Sequence, residues 1–482
     1  MSELTQTLKI LVTRYPGTMA ELARRADIDR STLYKILSGQ RKPRQEQLEH
    51  LADALELTEE QKTDLMQQFK QRGRSTDPRL RTELHRLLAA AFRVDEYIKG
   101  VSTVTNELAR TLPCTGPYAE GTRAVSATVA SLVADHLLSG DTRPLLLSPF
   151  TCELLDRVLI DRFAGAQGQP VPVCQLLLFT QDTEIPREQI GDIATLTRTL
   201  PFLFLPKMHY EARVVRTTLT EPAPGTLLPI YLLLPEKALF LDPTGQRCLV
   251  ITDRETVQNL RLAFSRTYID AAAVLKLATG THNFTESMAL YGSLFAGRPR
   301  CAMVRYQPPL SLFADAEIAR RVLRSDPELQ AMIPAMLDYL TVWSRQTPDL
   351  YFCEEGILQF VRTGMMYDLP PASYNPPDTA TRKEMLLRLR KAAASDSQTL
   401  RIVDANRLAL TPTMSVNLFQ GRGIVFCQST IDPVGFYCRE YLMEDPTLTD
   451  SLLLYLDDIK TTEHVRSQKY TLDFIDYCLR LL

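Results

Sequence analysis

Long apolar runs are missing from this sequence of 482 residues. A membrane-spanning helix needs about 18 consecutive apolar residues, and the longest apolar stretches here, such as Leu227 to Leu234, contain or adjoin a proline. The first residues also lack a basic segment followed by an apolar stretch, which is the pattern of a secretory signal. We therefore expect a cytoplasmic protein that makes no contact with a membrane.

Cysteine pairs at metal-binding or redox spacing are missing too. The nine cysteines stand singly, without any C-x-x-C pair, and we interpret them as reduced and mostly buried thiols. A redox-sensing cysteine is an alternative that the sequence leaves open, because it depends on pKa and exposure. The six histidines are far apart, which is typical of surface or core residues, and we expect no metal site.

Motifs of the common enzyme classes do not occur. The sequence has no Gly-rich phosphate loop ending in Gly-Lys-Ser/Thr, no Gly-x-Ser-x-Gly elbow and no His-Glu-x-x-His. The acidic pairs Glu354-Glu355 and Asp457-Asp458 consist of adjacent residues, which point in different directions, and we interpret them as solvated. We predict that the protein is not an enzyme and uses no cofactor.

The composition is that of an ordinary globular protein, with 45% hydrophobic, 23% charged and 8% aromatic residues. The chain is too long for one hydrophobic core, so we expect several domains. The net charge of −2 conceals a local asymmetry. From Arg14 to Arg44 eight basic residues stand against three acidic ones, whereas Gln45 to Asp64 holds seven acidic residues and one basic one. This division predicts one positive face, as expected where a small domain meets phosphates.

Apolar residues at helical spacing predict five helices before residue 70. The first ends near Pro16, Thr18 caps a second helix over about 19–26, and the turn that follows starts at Asp27. A fourth helix is predicted from Gln45 to Leu55, and a fifth begins with a capping box at Thr58.

The third helix is the most informative of the five. Asp29 is a good N-cap, so the helix should run from Arg30 to about Ser38 and stop at Gly39. Spacing predicts an inward face and an outer arc, with Thr32 at the margin. The inward residues are Leu33, Ile36 and Leu37, and the outer residues are Arg30, Ser31, Tyr34 and Lys35.

The run from Met19 to Pro43, which contains AELARRADIDRSTLYKILSGQRKP and is followed by a Leu-x-x-Leu-Ala-x-x-Leu helix, resembles the phage repressor and Cro type (XRE family) of helix-turn-helix domain. One departure is Asp27, where that family commonly has Gly. Asp tolerates the left-handed conformation better than most residues, so we expect modest strain and no change of fold.

The resemblance implies which residues bind DNA, since the third helix of that family enters the major groove. The implied base-reading residues are Arg30, Ser31, Thr32 and Lys35. The implied phosphate-binding residues are Thr18, Arg41, Lys42 and Arg44. The alternative for each basic residue is a solvated surface charge.

The sequence predicts four segments in all. Residues 1–72 form the all-α helix-turn-helix domain, and 73–100 form a linker and a connecting helix that starts at Arg79 and either packs onto the next domain or dimerises. Residues 101–300 and 301–482 form the two halves of a large α/β or α+β region, because buried strand patterns alternate with helical ones. Predicted strands include 145–149, 171–180, 227–234, 248–251, 400–403, 408–411 and 423–428.

Both halves contain two strands followed by a helix, at 238–264 and 408–456, which suggests a duplication. The segment from Leu239 to Phe264 is similar to the effector domains of regulators with a phospholipase D-like fold. The His-x-Lys pattern of that group is absent, so this similarity does not support an enzyme.

These observations together predict a sequence-specific transcriptional regulator, with repression as its simplest mechanism. Its partners would be a double-stranded DNA operator and a second copy of the chain, because two half-sites call for a dimer. The large region exceeds what dimerisation needs, so we expect it to sense a small-molecule effector. The alternatives are an antitoxin or defence-system component that binds a protein, and an enzyme with an appended DNA-binding domain.

Overall fold

The structure is a computed structural model. It describes residues 3–13, 15–37, 43, 45–58, 61–62, 65–66, 77–108, 116–180, 186–218, 226–279, 284–324, 337, 341–342, 347–369, 371–395, 399–432, 435–460 and 462–482. The chain divides into two compact units, Met1–Arg81 and Thr82–Leu482.

The first unit is helical. The helices described in it are α1 (Glu3–Thr13), α2 (Met19–Arg25), α3 (Arg30–Leu37) and α4 (Gln45–Ala54). One apolar core joins them, built from residues that include Leu8, Leu22, Leu33, Ile36, Leu48, Leu51 and Leu65. The predicted capping box at Thr58 is present, because its backbone N–H donates to Gln61 Oε1 at 3.0 Å and its hydroxyl accepts the Gln61 N–H at 3.3 Å.

The predicted connecting helix consists of two helices, α5 (Pro78–Phe92) and α6 (Val94–Leu108), with a turn at Arg93. The prediction of one continuous helix was therefore wrong. The Phe92 carbonyl, which would accept the Glu96 amide in a continuous helix, accepts the Thr411 hydroxyl at 3.3 Å. Such a tertiary contact favours a turn, and the spacing of apolar residues around Arg93 cannot predict it.

The apolar stripe of α5 is buried inside the second unit, at Leu84, Leu87, Leu88 and Ala91. The imidazole Nδ1 of His85 lies 2.7 Å from the Tyr455 hydroxyl. This burial within a single chain favours the packing interpretation of the helix over the dimerisation interpretation.

The second unit is built on one mixed sheet of fourteen strands. The strands are β1 (Tyr118–Glu120), β2 (Leu145–Leu147), β3 (Val171–Thr180), β4 (Met208–Thr217), β5 (Ile230–Leu233), β6 (Ala238–Leu241), β7 (Arg247–Ile251), β8 (Ala272–Thr279), β9 (Cys301–Arg305), β10 (Asp349–Phe352), β11 (Leu400–Ile402), β12 (Met414–Phe419), β13 (Gly423–Asp432) and β14 (Gly435–Met443). An N-terminal helical domain followed by a large α/β region is the predicted fold class, and the structure confirms it.

The sheet contains the same seven-strand arrangement twice, in the order β1-β7-β6-β5-β2-β3-β4-β8-β14-β13-β12-β9-β10-β11. In each copy three strands pair in parallel, β2 to β4 and β9 to β11. The next three strands, β5 to β7 and β12 to β14, form an antiparallel run that starts beside the first of the parallel strands, β2 or β9. The first strand of each copy, β1 or β8, pairs antiparallel with the last, β7 or β14. An antiparallel pairing of β4 with β8 joins the copies. This topology supports the suggested duplication.

Helices connect and cover the strands. They are α7 (Thr122–Ser139), α8 (Glu153–Ala164), α9 (Pro186–Leu203), α10 (Arg254–Asp270), α11 (Phe284–Leu294), α12 (Ala316–Val322), α13 (Glu354–Thr363), α14 (Thr379–Ala393), α15 (Ala405–Leu408), α16 (Pro446–Ile459) and α17 (Gln468–Leu481). The predicted strand at 408–411 was wrong. Asp404 instead caps the short α15 by accepting the Asn406 N–H at 3.0 Å, and the strand starts later, at Met414.

The pair Asp457-Asp458 is not simply solvated as predicted. Asp457 accepts two hydrogen bonds from the Arg300 guanidinium at 2.6 and 2.7 Å, and Arg300 also donates to Asp349 at 2.8 Å. Burial alone would raise the pKa of Asp457, but the hydrogen bonds from Arg300 hold it below its ordinary value. This ion pair ties α16 to the start of β9 and β10.

Six free cysteines are buried and Cys174 is half-buried; the buried ones are Cys152, Cys248, Cys301, Cys353, Cys427 and Cys478. Burial raises the pKa of Cys353 to about 11 and that of Cys301 to about 12, which favours the unreactive thiol. The described residues include no cluster of three or more Asp, Glu, His or Cys side chains placed to hold a metal ion. None of the helices described has the length and apolar character of a membrane span.

Candidate nucleic-acid interface

Helix α2 starts with a complete capping box. The backbone N–H of Thr18 donates to the Glu21 carboxylate at 2.8 Å, and the Thr18 hydroxyl accepts the Glu21 N–H at 3.2 Å. The hydrogen bond from the Thr18 backbone is the main reason why the pKa of Glu21 lies below its ordinary value. The predicted cap at Thr18 is therefore present, and it fixes where α2 begins.

The turn after α2 depends on one residue in the left-handed conformation. Asp27 has a φ of 51°, the conformation expected for an Asp that stands where glycine is common. Ile28 follows it, is buried, and donates its N–H to the Ala23 carbonyl at 2.9 Å. The turn thus places Ile28 in the core and directs the chain into α3.

Asp29 caps α3, as predicted. One oxygen of its carboxylate accepts the Thr32 N–H at 3.0 Å and the Ser31 hydroxyl at 2.6 Å. The hydrogen bond from Ser31 is the largest cause of a pKa below the ordinary value for Asp29, so the carboxylate is ionised at neutral pH. An ionised cap at this end also interacts favourably with the helix dipole.

The two faces of α3 separate as the spacing predicted. Leu33, Ile36 and Leu37 are buried in the core of the first unit. The opposite arc is polar and exposed at Arg30, Ser31, Tyr34 and Lys35, with Thr32 half-buried at its margin. The structure therefore brings the four predicted base-reading residues onto one side of one helix.

Tyr34 has a specific contact on that side. The Arg30 guanidinium lies over its ring, with 5.7 Å between the guanidinium carbon and the ring centroid, while the ring stays 49% exposed. A cation–π contact at this distance restricts the Arg30 side chain and costs little to break. Arg30 is thereby held over the exposed arc at the start of α3.

Of the four predicted phosphate-binding residues, one lies among the described residues. Thr18 lies at the N-terminus of α2, where its backbone N–H and hydroxyl are both engaged by Glu21. Arg41, Lys42 and Arg44, and the predicted helix stop at Gly39, lie outside the described residues. The role of all four phosphate-binding residues stays a prediction.

Sequence reasoning missed two ion pairs in this unit. Arg25 pairs with Glu56 at 2.7 Å, and Lys62 pairs with Asp53 at 2.8 Å. The hydrogen bond that Arg25 donates to Glu56 is the main reason for the raised pKa of Arg25. One acidic residue after α4, Glu56, therefore pairs with a cation of α2, so the positive and negative halves of the unit are less separate than the charge count suggested.

Two short helices joined by a tight turn, the second with an exposed polar arc, define a helix-turn-helix domain. Residues 3–65 match the family model described as a helix-turn-helix domain. The N-terminal domain is therefore a helix-turn-helix domain of the XRE/Cro-type kind, and such a domain indicates DNA binding.

The other comparisons add less. No curated protein matches the chain. A similar solved structure is a polyphosphate kinase from Porphyromonas gingivalis, with 13% identity and a TM-score of 0.19 over 73% of this chain. The match spans 53% of that kinase chain. At this TM-score the likeness supports no statement about fold or function.

Proposed function

We propose that the protein is a sequence-specific transcriptional repressor whose helix α3 reads an operator in the major groove. The observation that carries the proposal is the exposed polar arc of α3, placed after the Asp27 turn of a helix-turn-helix domain. The helix is anchored by its buried face, so its polar side chains extend from a fixed support.

The arc has the chemistry that base edges recognise. Arg30 and Lys35 are donors suited to the N7 and O6 acceptors of guanine, and Thr32 has both a hydroxyl and a methyl group. Three basic residues follow α3 within a few positions of the sequence, Arg41, Lys42 and Arg44. In the proposed complex they would neutralise DNA phosphates. Base contacts would give specificity and the phosphate contacts most of the affinity.

The proposal also assigns roles to the second unit. A helix-turn-helix protein reads two half-sites about 34 Å apart when it is a dimer. We infer that the unit from Thr82 to Leu482 supplies the dimer contact and senses an effector rather than catalysing a reaction. An effector that binds the two DNA-affinity states unequally would shift operator affinity by that difference.

Selection of binding sites from random duplexes, using the full chain, tests the DNA-binding part directly. We expect enrichment of one sequence with two half-sites, and DNase protection on one side of the duplex at a spacing of about one helical turn. Lys42→Ala should weaken binding to selected and random duplexes alike and reduce the salt dependence. Failure to enrich any sequence would overturn the proposal.

Two further measurements test the proposed dimer and the proposed repression. Sedimentation equilibrium should give the mass of a dimer, and transcription in vitro from a promoter that contains the selected site should fall when the protein is added. A monomer at concentrations that saturate the operator would overturn the dimer role, and increased transcription would overturn repression.

A further inference from the structure

A cleft lies at the carboxyl end of β9, in the second unit. Its empty space, part of which is open to solvent, is about 240 Å³. The end of β9 supplies Arg305, Tyr306 and Gln307, and the segment after α13 supplies Tyr367. Strand β12 and the residues just before it supply Thr413 and Ser415, and β13 supplies Ser429. The carboxyl ends of parallel strands are a common place for ligand sites in α/β sheets.

Among the described residues that line the cleft, Arg305 is the only charged one. It pairs in register with Ser415 on β12, so both side chains lie on the same side of the sheet. Within the described part of the chain, no carboxylate forms an ion pair with Arg305, although its side chain is half-buried. A half-buried guanidinium in a cleft that hydroxyl side chains also line can donate charge-assisted hydrogen bonds to an anion.

The wall of the cleft is held in place by hydrogen bonds within the protein. Gln307 Oε1 accepts the Tyr367 N–H at 3.0 Å, and its amide nitrogen donates to the carbonyls of Gly356 and Met365 at 2.9 and 3.0 Å. The rings of Tyr306 and Tyr367 meet edge to face, with 5.8 Å between centroids. A wall fixed in this way needs little reorganisation when a ligand binds.

The cleft also touches the helix pair that follows the DNA-binding domain. Thr413, one of its lining residues, donates its hydroxyl hydrogen to Asp95 in the first turn of α6 at 2.9 Å. Gln428 donates to the other Asp95 oxygen at 2.9 Å. Because α5 begins at Pro78, within the first unit, α5 and α6 form the covalent connection from the DNA-binding domain to the sheet.

We propose that this cleft binds a small anion, a carboxylate or a phosphate group, through Arg305, and that the occupied site acts on α6 through Thr413 and Asp95. The inference rests on the proposed regulatory function for its second half and names the effector site.

Calorimetric titration of the full chain without DNA tests the anion site. The probes are inorganic phosphate and succinate, each at constant ionic strength, and they distinguish the two sources of negative charge. We expect saturable binding of at least one probe, weakened at least tenfold by Arg305→Gln and less by Arg305→Lys. The matched control is Arg254→Gln, on the exposed first turn of α10, which should leave binding unchanged.

The outcome of this titration does not depend on DNA binding, so it separates this inference from the regulator proposal. Absence of saturable binding for both probes would overturn the anion site. Equal binding by the wild type and Arg305→Gln would overturn it as well, provided that both unfold at the same temperature.

Hydrogen exchange tests the link to α6. The probe that binds should change the exchange rates of backbone amides 95–101 at least threefold in the wild type and in Thr413→Ser. Thr413→Val lacks the hydroxyl that reaches Asp95, so its α6 amides should not respond although the probe still binds. Unchanged α6 exchange in the ligand-bound wild type would overturn the coupling.

Discussion

The Ser31 hydroxyl donates its hydrogen to the Asp29 carboxylate at 2.6 Å, at the exposed start of α3. A hydroxyl has one hydrogen to donate and two lone pairs that accept. While the bond to Asp29 is present, Ser31 can meet a base edge only as an acceptor. Adenine N6 and cytosine N4 are the amino groups in the major groove that would satisfy it.

Ser31→Ala should therefore reduce the preference for an amino-bearing base at one operator position. The expected loss is about 0.5–1.5 kcal/mol, the usual net contribution of one hydrogen bond. Competition binding with duplexes substituted at each position measures it. Unaltered preference at every position would show that Ser31 does not read a base.

The caps of α2 and α3 predict how the first unit responds to acid. The folded-state pKa values of Glu21 and Asp29 both lie below their ordinary values, because hydrogen bonds from Thr18 and from Ser31 stabilise the carboxylates. A lowered folded-state pKa adds stability that is present above the unfolded pKa and is lost as the pH falls through the folded pKa. The free energy of unfolding of the first unit should thus be independent of pH above about pH 5 and decrease below about pH 4.

Urea unfolding of the full chain between pH 3 and 7 checks this prediction. Tyr34→Trp combined with Trp343→Phe places the one tryptophan on α3 as a local reporter. Asp29→Asn keeps a good capping residue that does not titrate, so it should flatten the acid response. An equally steep response in Asp29→Asn would show that Asp29 does not cause it.

Leu33 fills the centre of the first unit's core and is fully buried. Leu33→Ala should lower the free energy of unfolding of this unit by about 2–5 kcal/mol, through lost transfer energy and a residual cavity. The tryptophan at position 34 would report early unfolding of α3, while the second unit keeps its own transition. Leu262→Ala is the control, because Leu262 is 56% exposed and should cost little.

Gly356 marks a close approach between α13 and the end of β9. A Cβ atom at this position would lie 2.2 Å from the Tyr306 carbonyl oxygen, a distance that forces the backbone to move. Gly356→Ala should destabilise the second unit by about 1–3 kcal/mol, as overpacking does.

Gly292→Ala is the matched control for that substitution. Gly292 also lies within a helix, α11, but an added Cβ would meet no atom within 4 Å. Alanine there should be neutral or stabilise by up to about 1 kcal/mol through helix propensity. Calorimetric unfolding compares the two variants, and similar effects would contradict the packing argument at Gly356.

Local signals explain which parts of the fold could be predicted. The starts of α2 and α3 follow from the N-caps Thr18 and Asp29, whose side chains accept backbone N–H groups one turn ahead. Strand β3 was predicted over its full length because ten mostly apolar residues form an uninterrupted β-rich run. Each of these signals lies within a few residues of the structure that it determines.

Strands and turns that depend on contacts with residues far away in sequence were not predicted. Strands β8, β9 and β10 are short or lie at the junction of the two copies, and their pairing partners are far away in sequence. The turn at Arg93 depends on Thr411, more than three hundred residues later. Local periodicity carries no information about such partners.

In the candidate site too, features set by local spacing were predicted and features set by distant contacts were not. The exposed arc of α3 was predicted because helical spacing alone assigns its faces. The pairing of Arg25 with Glu56 was not, because it depends on the left-handed conformation of Glu56 after α4. The cleft at Arg305 has no sequence motif, since its lining residues come from four separate segments.

The central claim is that the exposed arc of α3 reads base sequence. The most direct measurement is the affinity of the wild type, Arg30→Ala, Lys35→Ala and the control Arg254→Ala for the selected operator and for a scrambled duplex, in one salt buffer. The account predicts that each α3 variant loses about 1–3 kcal/mol on the operator and much less on the scrambled duplex, while the control changes neither. Equal losses on both duplexes, or no loss on the operator, would contradict it.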